Sequence, residues 1–296
     1  MDLPDSALPG LYQGADKLSI QAQSRHLSVS RLRLVLVVIA AAGGAFSVRI
    51  GSESIEIAAL VTVVALVGAI VTELWLLVEK PELSWYDGRA LAESAKTLAW
   101  RFAVCATPYE RESDVGNDRE AEFRFVSQLE SLLRDAPRTA VAPTTAPPVS
   151  SQLRILRSAT LTARRDCYLE QRIDNQSIWY ARKSGWNIRR ARRWRIALLS
   201  LEVVGVIAAV FRMINFVELD LAGIVAATIG AGVAWLATKQ HESLGRAYAF
   251  AANELCLART RLEGAVTEQD WAREVADAEE AISREHTMWR ASRSSH

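Results

Sequence analysis

Two carboxylates draw attention because of the sequence around them. Glu73 interrupts an apolar run at 57–78 and Glu202 another at 196–211, and neither run holds a further charged residue. At ~1.5 Å per helical residue each lies roughly 8–9 Å inside one end of its run, so the two share a depth. A charge so placed in hydrocarbon costs a few kcal/mol and ordinarily faces a bundle interior or a water-filled path. The chemistry on offer is electrostatic, because rings of carboxylates at a pore mouth attract cations and repel anions. Alternatively each is protonated, snorkels to the surface or pairs with an arginine, and the residues alone leave these readings open.

Little else could do chemistry. His26, His241, His286 and His296 are scattered without HExxH or HxH spacing, and there is no glycine-rich phosphate loop and no nucleophile elbow. Glu285 and His286 are neighbours on a helical stretch and point about 100° apart, so they form no dyad. Cys105, Cys167 and Cys256 are odd in number and far apart, which excludes a disulfide framework or a CxxC metal knuckle and leaves them as buried thiols. The expectation is a protein that is not an enzyme and holds no metal and no cofactor.

The elements that must position the carboxylates are the apolar blocks themselves. Of 296 residues half are hydrophobic and 23% charged, with a net charge of +1. The apolar residues concentrate at 34–48, 57–78, 196–211 and 221–238. Against the roughly 20 residues that cross a bilayer core, the second and fourth suffice alone, and the others extend by snorkelling of Arg33, Arg195 and Arg212. Four transmembrane helices are predicted rather than the core of a soluble bundle, whose helices keep a polar stripe. The short intervals at 49–56 and 212–220 make two antiparallel hairpins. Small residues at four-residue spacing, Ala40 and Gly44, Ala65 and Ala69, and Ala226, Gly230 and Ala234, favour close helix packing within a bundle or between protomers.

Orientation follows the basic residues. Arg25, Arg31 and Arg33 precede the first block, and Arg182, Lys183, Arg189, Arg190, Arg192, Arg193 and Arg195 precede the third, whereas each hairpin loop sets one arginine against two acids. Both termini and the middle segment are therefore expected in the cytoplasm, with Trp75, Trp194 and Trp235 at the cytoplasmic membrane boundary. The basic run interleaved with Trp179, Trp186 and Trp194 could also be read as a nucleic-acid patch. Its position directly against a membrane helix favours anionic headgroups, so no nucleic-acid partner is expected.

Between the hairpins, 135–150 carries four prolines and no helical period, an extended connector that divides an N-terminal unit at 1–134 from a C-terminal unit at 151–296. Asn117 can cap a helix through Phe123, Phe125, Leu129 and Leu132, and Thr267 with Asp270 caps a last helix through Trp271, Val275, Ala278, Ile282 and Trp289. The segment at 152–195 is expected to run as one helix into the third span. No stretch reads as strand. Gly88-Arg-Ala-Leu-Ala-Glu and Gly245-Arg-Ala-Tyr-Ala-Phe follow the second span of each hairpin and suggest two versions of one unit.

The runs Leu8-Pro-Gly-Leu-Tyr-Gln-Gly-Ala-Asp16, then Gln21 and Arg25, Trp85-Tyr-Asp-Gly-Arg-Ala-Leu-Ala-Glu-Ser-Ala-Lys-Thr-Leu-Ala-Trp-Arg-Phe102 and Pro108-Tyr109 resemble one subfamily of the SLATT domains. The runs Ala251-Ala-Asn-Glu-Leu255 and Trp271-Ala-Arg-Glu-Val-Ala-Asp-Ala-Glu-Glu-Ala-Ile-Ser-Arg-Glu-His-Thr-Met-Trp289 resemble a second. These are two-transmembrane effector domains associated with nucleotide-synthesising and nucleotide-sensing proteins. The resemblance implies an all-α inner-membrane protein of a bacterial conflict or antiphage system, a homo-oligomer that breaches the bilayer on activation. No synthase, TIR or SLOG module is present in these residues, so the nucleotide-synthesising or nucleotide-sensing partner is expected in trans. The rival readings are a membrane-anchored scaffold that clusters partners without a pore, and a small cation channel or transporter using Glu73 and Glu202.

Overall fold

A computed structural model of the chain describes residues 2–45, 49–50, 55–111, 117–136, 141–216 and 219–291, without the side chains of 49, 50, 55, 56, 117 and 284–291. Val48, the middle of the first hairpin loop, the Asn117 side chain, positions 137–140 of the proline-rich segment and the side chains of Glu285, His286 and Trp289 therefore lie outside the described residues, as does His296.

The chain is all-α with four membrane-spanning helices in two hairpins. In the first, α1 (Gly10–Ala45) leads through a two-rung antiparallel ladder of β1 (Arg49–Ile50) and β2 (Ile55–Glu56) into α2 (Ile57–Glu79). That ladder qualifies the expectation of no strand; a short loop between antiparallel helices brings its two arms close enough to pair. A single left-handed residue, Lys80 (φ 43°), separates α2 from α3 (Pro81–Ala103). Next come α4 (Asn117–Asp135), α5 (Ser151–Ser158) and α6 (Leu161–Tyr168), followed by a π-helical stretch over Leu169–Asp174. The second hairpin is α7 (Asn175–Met213) and α8 (Leu221–Lys239). Another left-handed residue, Gln240 (φ 49°), leads to α9 (His241–Gly264), and α10 (Glu268–Ala291) completes the order.

The two breaks are chemically alike. The N–H of Lys80 donates to the Leu76 carbonyl at 3.1 Å and that of Gln240 to the Leu236 carbonyl at 2.9 Å, so each spanning helix ends in the same left-handed cap. Pro81 then suits the first position of a new helix, where its missing N–H is no loss. The glycines of the repeated GRA motif lie against the long helix that opens each hairpin. A Cβ on Gly88 would come within 3.1 Å of the Ala15 carbonyl and the Ser19 nitrogen of α1, and one on Gly245 within 2.9 Å of Ile188 of α7. In both halves the motif therefore permits a close helix crossing.

The expected single helix through 152–195 is interrupted at Ala159 and Thr160, whose backbones are extended. Thr160 accepts the Ala163 N–H at 3.3 Å and so starts α6 as a new helix; local bonding by a threonine hydroxyl competes with helix continuation. The described part of the proline-rich segment is extended but not loose. It runs against α1, where a Cβ on Gly14 would lie 2.7 Å from the Ala142 carbonyl and one on Gly10 equally near that of Ala146.

The described residues form two compact units that cut across the sequence order. One combines Ser24–Pro81 with Gly185–Gly245 and contains the apolar spans; the other combines Met1–Gln23, Glu82–Ser184 and Arg246–His296. The second unit holds the aromatic core. Phe102 stacks on Phe125 at 4.8 Å with Tyr109 edge-on to both, and Tyr168 meets Trp100 and Trp271 edge-on, each at 5.7 Å.

Candidate functional site

In the spanning unit the first hairpin closes where Ala40 and Ala65 are buried. Gly43, one position before the expected Gly44, makes the close approach: a Cβ there would lie 2.5 Å from the Thr62 hydroxyl, whereas Gly44 meets nothing within 4 Å. The second hairpin closes on Gly232, where a Cβ would lie 2.7 Å from Leu198, and on Gly205 beside Val225. Ala226, Gly230 and Ala234, the expected small face of α8, are exposed. One or two positions rotate a helical residue by 100–200°, so spacing alone identified small-residue stripes but not the stripe used within the chain.

The two carboxylates of the apolar runs have different surroundings. Glu73 forms an ion pair with Arg33, Nη1 to Oε2 at 2.6 Å, which links α1 and α2 across the hairpin. Glu202 is exposed on α7, and among the described residues no cation pairs with it. No interaction joins the two groups to each other.

Aromatic and basic residues gather near the polar ends of the spans. Trp75 is half-buried on α2, and Trp194 lies beside Gly232. Trp235 has the Arg31 guanidinium 5.2 Å and the Lys239 ammonium 5.1 Å from its ring centroid. Arg182, Lys183, Arg189, Arg190, Arg192, Arg193 and Arg195 are all exposed on α7. Of these Arg195 is paired with Glu242 at 2.9 Å, while Lys183 and Arg190 lie over Trp179 and Trp186. The tryptophan sector of α7 is used for packing: Trp179 meets Tyr248 at 5.4 Å and Trp186 meets His241 at 5.3 Å. Trp179 is half-buried in these contacts, whereas Trp186 remains exposed on α7.

The other unit contains a polar centre. Arg172, on the π-helical stretch, is almost wholly buried and donates to Glu279 of α10 through Nε and Nη2, each at 2.8 Å, and to Glu93 of α3 at 3.1 Å. Thr97 and Tyr168 donate to the same Glu279 carboxylate at 2.9 and 3.0 Å. Burial works against the Arg172 charge, but Glu279 and then Glu93 outweigh it and hold the guanidinium well above its usual pKa. Burial, reinforced by Glu279, pushes the Tyr168 phenol well up.

Two further buried arginines secure the end of α3, where Cys105 adopts a left-handed φ of 59°. Arg157 donates to the carbonyls of Phe102 and Tyr109, and Arg164 donates to that of Val104, which also accepts from the Trp271 indole at 2.9 Å. These donors satisfy carbonyls that helix termination leaves without partners. None of the three arginines was a candidate from sequence, since isolated charges read as surface. Glu279 carried a signal, because a carboxylate among Trp271, Val275, Ala278 and Ile282 interrupts an apolar helix face. The cysteine expectation needs correction: Cys105 and Cys167 are buried, but Cys256 is exposed on the polar face of α9. Burial raises the pKa of the first two thiols.

Comparison with protein-family models matches residues 9–165 to the SMODS and SLOG-associating 2TM effector domain 3, and residues 168–289 to domain 1 of the same series. The chain belongs to the SLATT family. It carries two tandem SLATT domains of different subfamilies, each built around one hairpin. No curated protein and no solved structure matches the chain. The two SLATT matches meet at the end of α6, immediately before Arg172. Glu93 and Thr97 belong to the first SLATT domain and Arg172 and Glu279 to the second, so the buried polar centre is shared by both.

Proposed function

We propose that this tandem SLATT protein is the inner-membrane effector of a bacterial nucleotide-linked conflict or antiphage system, with both termini in the cytoplasm. On activation it oligomerises and permeabilises the membrane, in response to a nucleotide-synthesising or nucleotide-sensing partner in trans. It acts without catalysis.

The observation that carries the oligomeric pore is Glu202. An unpaired carboxylate facing lipid costs a few kcal/mol, and the usual remedy is to face a bundle interior or water. A single chain leaves Glu202 exposed, whereas a second copy against α7 would enclose it. The unused small face of α8, through Ala226, Gly230 and Ala234, gives neighbouring copies room for close approach. Glu73 is already neutralised by Arg33, so a charged ring at the inner mouth would be set chiefly by Glu202.

The test is induced expression in a bacterial host with a voltage-sensitive dye, alongside cysteine cross-linking through α8. Depolarisation accompanied by cross-linked oligomers is the expected result. Oligomers without depolarisation would indicate the scaffold instead, and monomers with an intact membrane potential would overturn the reading.

A further inference from the structure

Three cations set against Trp235 and Trp186 have no part in the pore reading. Arg31 comes from α1, Arg190 from α7 and Lys239 from the end of α8, all within the spanning unit. Arg31 and Lys239 lie 5.2 and 5.1 Å from the Trp235 centroid, and Arg190 lies 5.8 Å from that of Trp186. Arg190 is joined to the other two through Trp186, on whose ring His241, two residues beyond Lys239, packs at 5.3 Å. The His241 ring is fixed by Asn187 at 2.8 Å and by Trp186. Among the described residues no carboxylate pairs with Arg31, Arg190 or Lys239; the nearby Glu242 is engaged by Arg195. Arg31 and Arg190 are exposed and Lys239 half-buried, so their donors remain open to a ligand.

Three like charges from three helices repel one another, and holding them together without an acid disfavours the unliganded arrangement. A phosphate offers what is missing: negative charge and several acceptor oxygens for guanidinium and ammonium donors. Location identifies the source. Arg31 stands just ahead of the first apolar block and Lys239 just after the fourth, where headgroup phosphates lie and indoles prefer to sit.

We propose that Arg31, Arg190 and Lys239, set beside Trp235 and Trp186, form a binding site for the phosphate of an anionic phospholipid headgroup. An occupied site ties both hairpins to one lipid molecule, and so makes their mutual arrangement depend on membrane composition.

The full-length protein in phosphatidylcholine nanodiscs, doped with phosphatidylglycerol, tests this by native mass spectrometry of retained lipid. A control triple from the same basic run, R182Q, R189Q and R192Q, measures the diffuse attraction of basic residues to an anionic surface. Replacing the three site cations (R31Q, R190Q, K239Q) should weaken phosphatidylglycerol retention by at least about tenfold more than that control. Equal losses in the two triples would overturn the site in favour of diffuse attraction. Should the cluster triple fail to insert, K239Q alone should lose retention and Lys239→Arg should keep it; unchanged retention in K239Q would also overturn the site. Addition of ATP or inorganic phosphate separates the sources: displacement of the lipid at micromolar concentration would overturn the lipid assignment and point to a soluble phosphate ligand. The pore reading stands or falls separately, on depolarisation.

Discussion

At the residue scale the two membrane carboxylates make different predictions, because one has a partner and the other has none. Glu202→Gln keeps shape, removes the charge and lowers the cost of insertion, so expression should be unchanged while cation preference or toxicity falls. Glu73→Gln leaves Arg33 unpaired near the lipid boundary; it should reduce insertion or hairpin stability more than selectivity. Ion selectivity of reconstituted protein, measured as reversal potential in a salt gradient, separates the two. A leak of unaltered selectivity from well-inserted E202Q would sink the carboxylate ring. The cysteines give a simpler check: a maleimide should label Cys256 in the folded protein and reach Cys105 and Cys167 only on unfolding. How far such residues could be read from sequence depended on separation. Glu73 and Glu202 declared themselves as single acids in apolar runs. Arg172 and Glu279 did not declare their pairing, since they stand 107 positions apart and only the assembled core brings them together.

At the scale of elements, the apolar blocks were legible because a run of about twenty apolar residues has few other uses. The left-handed breaks at Lys80 and Gln240 were not, because neither position is the glycine or asparagine that usually marks a helix end. The proline-rich segment was legible as extended, while its seat on α1 depended on Gly10 and Gly14, which a helical pattern simply tolerates. The repeated GRA motif was visible, and the structure supplies its reason. Gly88→Val and Gly245→Val should each drive α3 or α9 off its partner helix and lower the melting temperature in detergent, with alanine at the same sites less damaging. The start of α10 gives a pH-dependent check. Hydrogen bonds from Thr267, then Arg273, hold Asp270 below the ordinary carboxylate range. A carboxylate depressed in the folded state contributes stability above its unfolded pKa of about 4 and loses it as pH falls through the folded value. The stability gap between wild type and Asp270→Asn should therefore be present at neutral pH and close in acid, as read from chemical denaturation at stepped pH.

At the scale of the whole molecule, the two SLATT domains share a core through Arg172, and the cost of removing it shows whether they act as one. Arg172→Met would strand the buried Glu279 without its cation and take one cation from the buried Glu93, and losing one partner of a buried pair costs about 3–5 kcal/mol. If the domains fold as one body, that loss should shift a single cooperative transition, and restoring charge balance with Glu279→Leu in the same chain should recover part of it. The double variant still deprives Glu93 of the Arg172 guanidinium, so full recovery is not expected. If each SLATT domain is instead independently stable, the single variant should split the transition in two without lowering the more stable step. The same variant bears on the effector reading. A signal that reaches only one of two fused domains can act on both hairpins only if their shared core transmits it. Arg172→Met at a temperature where the protein remains folded should therefore uncouple trigger from leak, seen as a partner-dependent depolarisation that weakens while overexpression toxicity persists. Loss of both together would mean that the buried centre supports the fold and carries no separate role in activation.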